Sequence, residues 1–83
     1  MQDQNIAILV DELGKADSKE KMKNLLRGLL TPKELEELAE RVRIVQFLKK
    51  GVAQHSIAEK LHVGVATVSR GAREIKMGNF ITI

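Results

Sequence analysis

The chain lacks cysteine, tryptophan and tyrosine, and among its 83 residues it has only one proline and two phenylalanines. Without cysteine it can form neither a disulfide nor a thiolate metal site, and it has no thiol nucleophile. No apolar run approaches the roughly 20 residues of a membrane span. The first residues carry acids rather than the basic start of a secretory signal. We therefore expect a cytoplasmic, soluble protein with no membrane partner.

The chain also lacks a large excess of one charge, because it has 14 basic and 11 acidic residues and a net charge of +3. The small excess is unevenly placed. Residues 51–83 hold four basic and two acidic side chains, whereas residues 1–30 hold five of each. A phosphate-binding surface needs such a local basic excess, although a bias of this size is also found on ordinary solvated faces.

The apolar residues recur at helical spacing, and no long alternating pattern predicts a strand. We expect helices over about residues 4–14, 17–30 and 31–50. Asp17 and Glu20 resemble a capping box at the start of the second helix. Thr31, Pro32 and Glu34 supply a hydroxyl cap, a proline at the first helical position and a glutamate at the third. Gly51 suits the left-handed end of the third helix.

The third helix carries a broad apolar stripe, which includes Leu35, Leu38, Val42, Val45 and Leu48. One domain of this size buries little surface, so a stripe this wide favours association with a second copy. We predict an all-α fold, a single domain over residues 1–83 that forms a helical homodimer. Residues 1–50 would supply the dimerisation helices and residues 53–76 a helix-turn-helix.

The helix-turn-helix prediction rests on two short amphipathic patterns separated by His62-Val63-Gly64. The first has Ile57, Ala58 and Leu61 as its apolar positions. The second has an apolar seam of Val65, Val68, Ala72 and Ile75, and its other side is small, hydroxylated or basic, as contact with base edges and phosphates requires. This pattern favours a DNA-binding protein over an enzyme. Ser56 and Ser69 have no adjacent base, and the chain has no glycine-rich phosphate loop.

Metal binding is not expected. His55 and His62 are seven residues apart, with a predicted turn and no third ligand between them. The glutamates near the start of the third helix are read as a solvated face rather than as acid–base catalysts.

Three ordered segments resemble the bacterial tryptophan repressor family, over roughly residues 25–76. They are Leu30-Thr31-Pro32, Arg41-Val42-Arg43-Ile44-Val45 and Ala66-Thr67-Val68-Ser69-Arg70-Gly71. The resemblance implies an intertwined helical homodimer that represses transcription from double-stranded operator DNA when it binds L-tryptophan. A compact branch of the same superfamily is a second possible assignment.

The resemblance also implies site residues. Arg41 and Arg70 would sandwich the indole ring, Thr31 would contact the ligand, and Gly71 would leave room for the ring. Backbone carbonyls of Gly28 and Leu30 would accept from the ligand ammonium. The implied DNA contacts are Gln54, His55, Val65, Ala66, Thr67 and Ser69, to which the residue pattern adds Arg73.

Glu74 departs from the family pattern, which has a serine at this position. Its carboxylate would pair with the ligand ammonium, or would fill the pocket and neutralise Arg41 or Arg70. Two alternatives to a tryptophan-dependent repressor therefore stay open: a DNA-binding protein of the same fold without an amino-acid ligand, and a helical module that binds a protein partner.

Overall fold

The computed structural model describes residues 2–83, which form five α-helices and no strand. The helices are α1 (Gln2–Lys15), α2 (Lys19–Leu29), α3 (Pro32–Lys49), α4 (Gln54–Leu61) and α5 (Val65–Lys76). The predicted all-α fold class is confirmed. Across the same residues, every helix is too short or too polar to cross a membrane.

The starts of α2 and α3 follow local capping chemistry. The predicted cap Asp17 is wrong by one residue, because the Ser18 hydroxyl accepts the bond from the Lys21 amide at 3.1 Å. At α3 the predicted capping box is confirmed. The Glu34 amide donates to Thr31 Oγ1 at 3.1 Å, and the Thr31 amide donates to Glu34 Oε1 at 2.9 Å. The backbone bond and the hydroxyl together lower the pKa of the Glu34 carboxyl below its ordinary value.

Two left-handed residues shape the connections on either side of α4. Gly51, with φ +85°, ends α3 as predicted. His62 follows α4 with φ 55° and ψ 46°, a conformation that few residues other than glycine adopt readily. The turn of residues 62–64 therefore connects α4 to α5 with a non-glycine residue in the left-handed conformation at its first position.

The chain consists of two compact units, one ending at Leu35 and the other spanning Glu36–Ile83. In the first unit, no side chain of Gln2–Lys15 or Lys19–Leu29 is buried. Ile8 in α1 is 61% exposed. The division into dimerisation helices at 1–50 and a helix-turn-helix at 53–76 stays a prediction.

The second unit has a small apolar core made by α3, α4 and α5. Ile44, Ile57, Ala58 and Val68 are buried against one another, and Phe47 packs at the edge with several aliphatic neighbours. Ile57, Ala58 and Val68 belong to the apolar positions named from the sequence. Because α4 and α5 share this core, their relative placement is fixed by packing and not by the short turn alone.

Candidate ligand cavity and nucleic-acid interface

A cavity of about 160 Å³ lies in the second unit, between the latter half of α3 and α5. Apolar side chains and charged ones both reach it. It is lined by Arg41, Ile44, Val45, Thr67, Arg70, Gly71, Glu74 and Phe80.

Helical spacing explains why α5 contributes four of these residues. Thr67, Arg70, Gly71 and Glu74 are three, one and three positions apart, so they lie on one face of the helix. On α3, Arg41 and Val45 are separated by one turn and therefore also share a face. The structure thus brings Arg41 and Arg70, from two helices, to the wall of one cavity.

At Gly71 the backbone of α5 lies close to side chains of α3. A Cβ atom at this position would lie 3.3 Å from Ile44 Cγ2 and 3.4 Å from Leu48 Cδ1. The missing side chain therefore makes room first for the α3 side chains. Whether it also makes room for a ligand ring stays a prediction.

Among residues 2–83, neither Arg41 nor Arg70 forms an ion pair. Glu74, although it lines the same cavity, is engaged elsewhere. Its Oε1 accepts a hydrogen bond from Asn79 Nδ2 at 3.0 Å, and its backbone carbonyl accepts from the Asn79 amide at 3.0 Å. In this structure the Glu74 carboxylate does not neutralise the two guanidinium groups.

Phe80 is not among the site residues predicted from the sequence, because residues 78–83 are too few for a helix and carry no recognised motif. The structure places this partly buried residue at the cavity wall. One signal in the sequence could have indicated it: Phe80 is one of two aromatic residues in the chain, and it follows the turn-forming pair Gly78-Asn79.

The other predicted ligand contacts belong to the first unit. Thr31 is exposed and its hydroxyl caps α3, while Gly28 and Leu30 lie at the end of α2. Their roles toward a ligand stay predictions.

The predicted DNA contacts lie on α4 and α5. Ser69 is partly buried, and Val65 is 51% exposed. The remaining members of the set are exposed: Gln54, His55, Ala66, Thr67 and Arg73.

One hydrogen bond joins the two helices within this set. Ser69 Oγ on α5 donates to Gln54 Oε1, at the first residue of α4, at 2.7 Å. This bond fixes the orientation of the Gln54 amide, whose NH₂ group can donate to an acceptor outside the protein.

Thr67 belongs both to the cavity and to the exposed face of α5. It lines the cavity and it is exposed on α5, so a substitution there would affect both the cavity and the outer face. Arg73 is exposed on the same helix and is not among the cavity residues, which makes it the cleaner probe of the outer face.

No group of three or more histidine, aspartate or glutamate side chains that could hold a metal ion is found in residues 2–83.

Comparisons with known proteins agree with this architecture. The family described as Trp repressor protein matches residues 4–80. A Trp operon repressor homolog of Xylella fastidiosa (strain M23) is 35% identical over 78 residues, covering 93% of this chain and 85% of the relative. One of Photobacterium profundum is 45% identical over 69 residues, covering 82% of this chain and 67% of the relative.

A third Trp operon repressor homolog, from Vibrio vulnificus (strain YJ016), is 48% identical over 54 residues, which are 64% of this chain and 53% of the relative. The match thus spans about half the length of that protein. The family match, by contrast, extends over nearly the whole chain and includes every residue of the cavity. The chain therefore belongs to the Trp repressor family.

Proposed function

We propose that this chain is a DNA-binding transcriptional repressor that acts as a homodimer and takes L-tryptophan as its corepressor. The observation that carries the proposal is the position of two arginines. Arg41 and Arg70 line one cavity without an ion-pair partner among residues 2–83, and Arg70 belongs to the helix that carries most of the predicted DNA contacts.

The cavity has the chemistry that an aromatic amino acid requires. A planar guanidinium group stacks on an aromatic face and also forms paired hydrogen bonds with a carboxylate. Ile44 and Val45 add an apolar surface for the ring. Glu74, whose second carboxylate oxygen is not the one bound by Asn79, offers an anionic partner for the ligand ammonium.

Ligand binding in this cavity would act on DNA binding through α5. A ligand held by both arginines would join α3 to α5 and so restrict where α5 lies. If the form favoured by the ligand is also the form that fits DNA, each ligand tightens the binding of the other by the same factor. This reciprocity makes the coupling measurable from either side.

The outer face of α5 suits a major groove. Ala66 and Thr67 are small enough for close approach to base edges, and Arg73 adds a positive charge for a phosphate. On α4, Gln54 presents its free NH₂ group beside this face because Ser69 holds its oxygen.

A homodimer accounts for apolar side chains left exposed in the chain. On α1, Ile6, Leu9 and Val10 are exposed, and on α3 the same holds for Leu38 and Val42. Exposed aliphatic residues at this density are typical of a protein interface. A two-fold dimer would also present two copies of α5 to two DNA half-sites about one turn of the double helix apart.

The test begins with selection of binding sites from a random duplex library, with and without L-tryptophan. We expect enrichment of a palindromic site. Fluorescence anisotropy with that duplex then measures affinity as tryptophan is added. Arg70→Lys keeps the positive charge but loses the planar guanidinium group, so it should weaken tryptophan binding by about tenfold or more. Arg27→Lys on α2 is the matched control and should leave the affinity for tryptophan unchanged.

The outcomes separate the alternatives. A selected site bound equally well with and without tryptophan, with no heat of tryptophan binding in calorimetry, would indicate a DNA-binding protein without an amino-acid ligand. No enriched site under either condition would contradict DNA binding and favour a protein-binding module.

A further inference from the structure

The turn after α5, residues 78–83, is fastened to both helices that form the cavity. Asn79 binds Glu74 of α5 through its side chain and its backbone amide. On the other side, Lys49 Nζ at the end of α3 donates a hydrogen bond to the Phe80 carbonyl. The Ile83 amide donates to the same carbonyl at 3.2 Å. These contacts hold Phe80 at the cavity from two directions.

Phe80 takes an unusual backbone conformation in this turn. Its φ is 61°, in the left-handed region that bulky side chains rarely adopt, and Gly78 before it has φ +92°. Strained residues of this kind persist only where the surroundings impose them, and they cluster at ligand clamps and switch regions. Here the conformation is imposed by the hydrogen bonds of Asn79 with Glu74 and of Lys49 with the Phe80 carbonyl.

The remaining space is small for the proposed ligand. With Phe80 at its wall, the cavity measures about 160 Å³. An engineered apolar cavity of about 150 Å³ binds benzene, a single ring. An indole ring with an amino-acid backbone is considerably larger. The cavity opens to solvent, so a tryptophan molecule either extends out of it or takes the space at the wall where Phe80 lies.

We propose that Phe80 is an intramolecular competitor for the aromatic site beside Arg41 and Arg70, and that L-tryptophan binding requires the turn of residues 78–83 to move away. This inference rests on the proposed function, since it concerns the same cavity. It gives Glu74 a specific role: by holding Asn79, the carboxylate at this family-variant position keeps the competing ring in place.

Competition has a quantitative consequence. When the site is open in only a fraction of molecules, the apparent dissociation constant of the ligand is the intrinsic constant divided by that fraction. Removing the Phe80 ring should therefore tighten L-tryptophan binding. If the turn is closed in about nine molecules of ten, the gain is about tenfold.

The experiment is calorimetric titration of L-tryptophan into the whole chain and three variants. Phe80→Ala removes the competing ring, and Phe80→Leu keeps an apolar side chain of intermediate size. Ile81→Ala is the matched control, because Ile81 belongs to the same turn, is 84% exposed and is not among the cavity residues. We expect about tenfold tighter binding by Phe80→Ala, a smaller gain for Phe80→Leu and none for Ile81→Ala.

A second measurement uses the unaltered chain and so does not depend on whether a variant folds. In the ligand-free chain, nuclear Overhauser effects should connect the Phe80 ring with methyl groups of Ile44 or Val45, and saturating L-tryptophan should abolish them. Absence of these effects without ligand, or their persistence at saturation, would overturn the inference.

Different results would contradict the competition by Phe80 and the role of tryptophan as corepressor. Equal or weaker tryptophan binding by Phe80→Ala overturns the competition and leaves tryptophan as the corepressor. Absence of binding by every variant, with DNA binding intact, overturns the competition together with the tryptophan proposal. Binding by Phe80→Ala but not by the unaltered chain supports the competition and assigns the unaltered chain to ligand-free DNA binding.

Discussion

Thr31 and Glu34 hold the first turn of α3 by two reciprocal hydrogen bonds. Replacing a threonine cap by alanine leaves an amide at the helix start without its partner. We expect Thr31→Ala to lower the free energy of unfolding by about 1 kcal/mol, measured by urea denaturation. Thr31→Ser, which keeps the hydroxyl, should retain most of the stability; an equal loss in both variants would contradict the capping role.

The pKa of Glu34 adds a pH dependence to this cap. The bonds from Thr31 lower the pKa in the folded chain, so the ionised carboxylate stabilises the fold. The contribution is complete above the ordinary glutamate pKa and is lost as the pH falls through the lowered one. Glu34→Gln should therefore reduce the melting temperature at neutral pH and have little effect in strong acid. Glu36→Gln on the same helix serves as control.

Adding a side chain at Gly71 and at Gly28 should change stability in opposite directions. A side chain at Gly71 would press on Ile44 and Leu48, whereas a Cβ at Gly28 has nothing within 4 Å. Gly71→Val should therefore destabilise the second unit by about 2 kcal/mol through overpacking. Gly28→Ala should stabilise α2 by about 0.5 kcal/mol, since alanine loses less backbone entropy. Thermal unfolding of the two variants checks both signs. A stabilising Gly71→Val would mean that α3 and α5 are not in close contact.

At the scale of the helices, the bond between Ser69 and Gln54 joins α5 to α4 beside the predicted DNA face. Ser69→Ala frees the Gln54 amide to rotate, so we expect binding to a selected duplex to weaken about fivefold, equivalent to about 1 kcal/mol. The slope of affinity against salt concentration should not change, because neither side chain is charged.

Arg73→Ala should behave differently in the same anisotropy measurements, because it removes a phosphate contact. We expect weaker binding to all duplexes and a salt slope reduced by about one. Lys23→Ala on α2 removes the same charge elsewhere and is the control. A salt slope unchanged by Arg73→Ala, or reduced equally by Lys23→Ala, would place the DNA surface away from α5.

The helices themselves were largely predictable, because their signals are local. Apolar spacing, Thr31-Pro32 and Gly51 define α3 without reference to any other element. The error at α2, where Ser18 and not Asp17 is the cap, arose because adjacent residues are both good caps and only the backbone conformation distinguishes them.

At the scale of the whole molecule, the exposed aliphatic residues of α1 predict the oligomeric state. We expect sedimentation equilibrium to give twice the 9.3 kDa mass of one chain. Leu9→Glu places a charge among the exposed apolar residues and should shift the population toward monomer, because a buried unpaired charge is costly. Gln4→Glu adds the same charge on the same helix as control. A monomer in the unaltered chain would contradict the proposed dimer.

The helical fold class, the family and three of the four core residues of the second unit, Ile57, Ala58 and Val68, could be predicted from the amino-acid sequence. Each of these depends on residue spacing or on an ordered motif, so it can be read along the chain. Two features could not be predicted without the packed structure: Glu74 binds Asn79 rather than Arg41 or Arg70, and Phe80 lies at the cavity. These contacts involve a turn without periodic pattern, fastened by hydrogen bonds to two helices. Their partners are chosen by the packing of α3 against α5, which no local rule specifies.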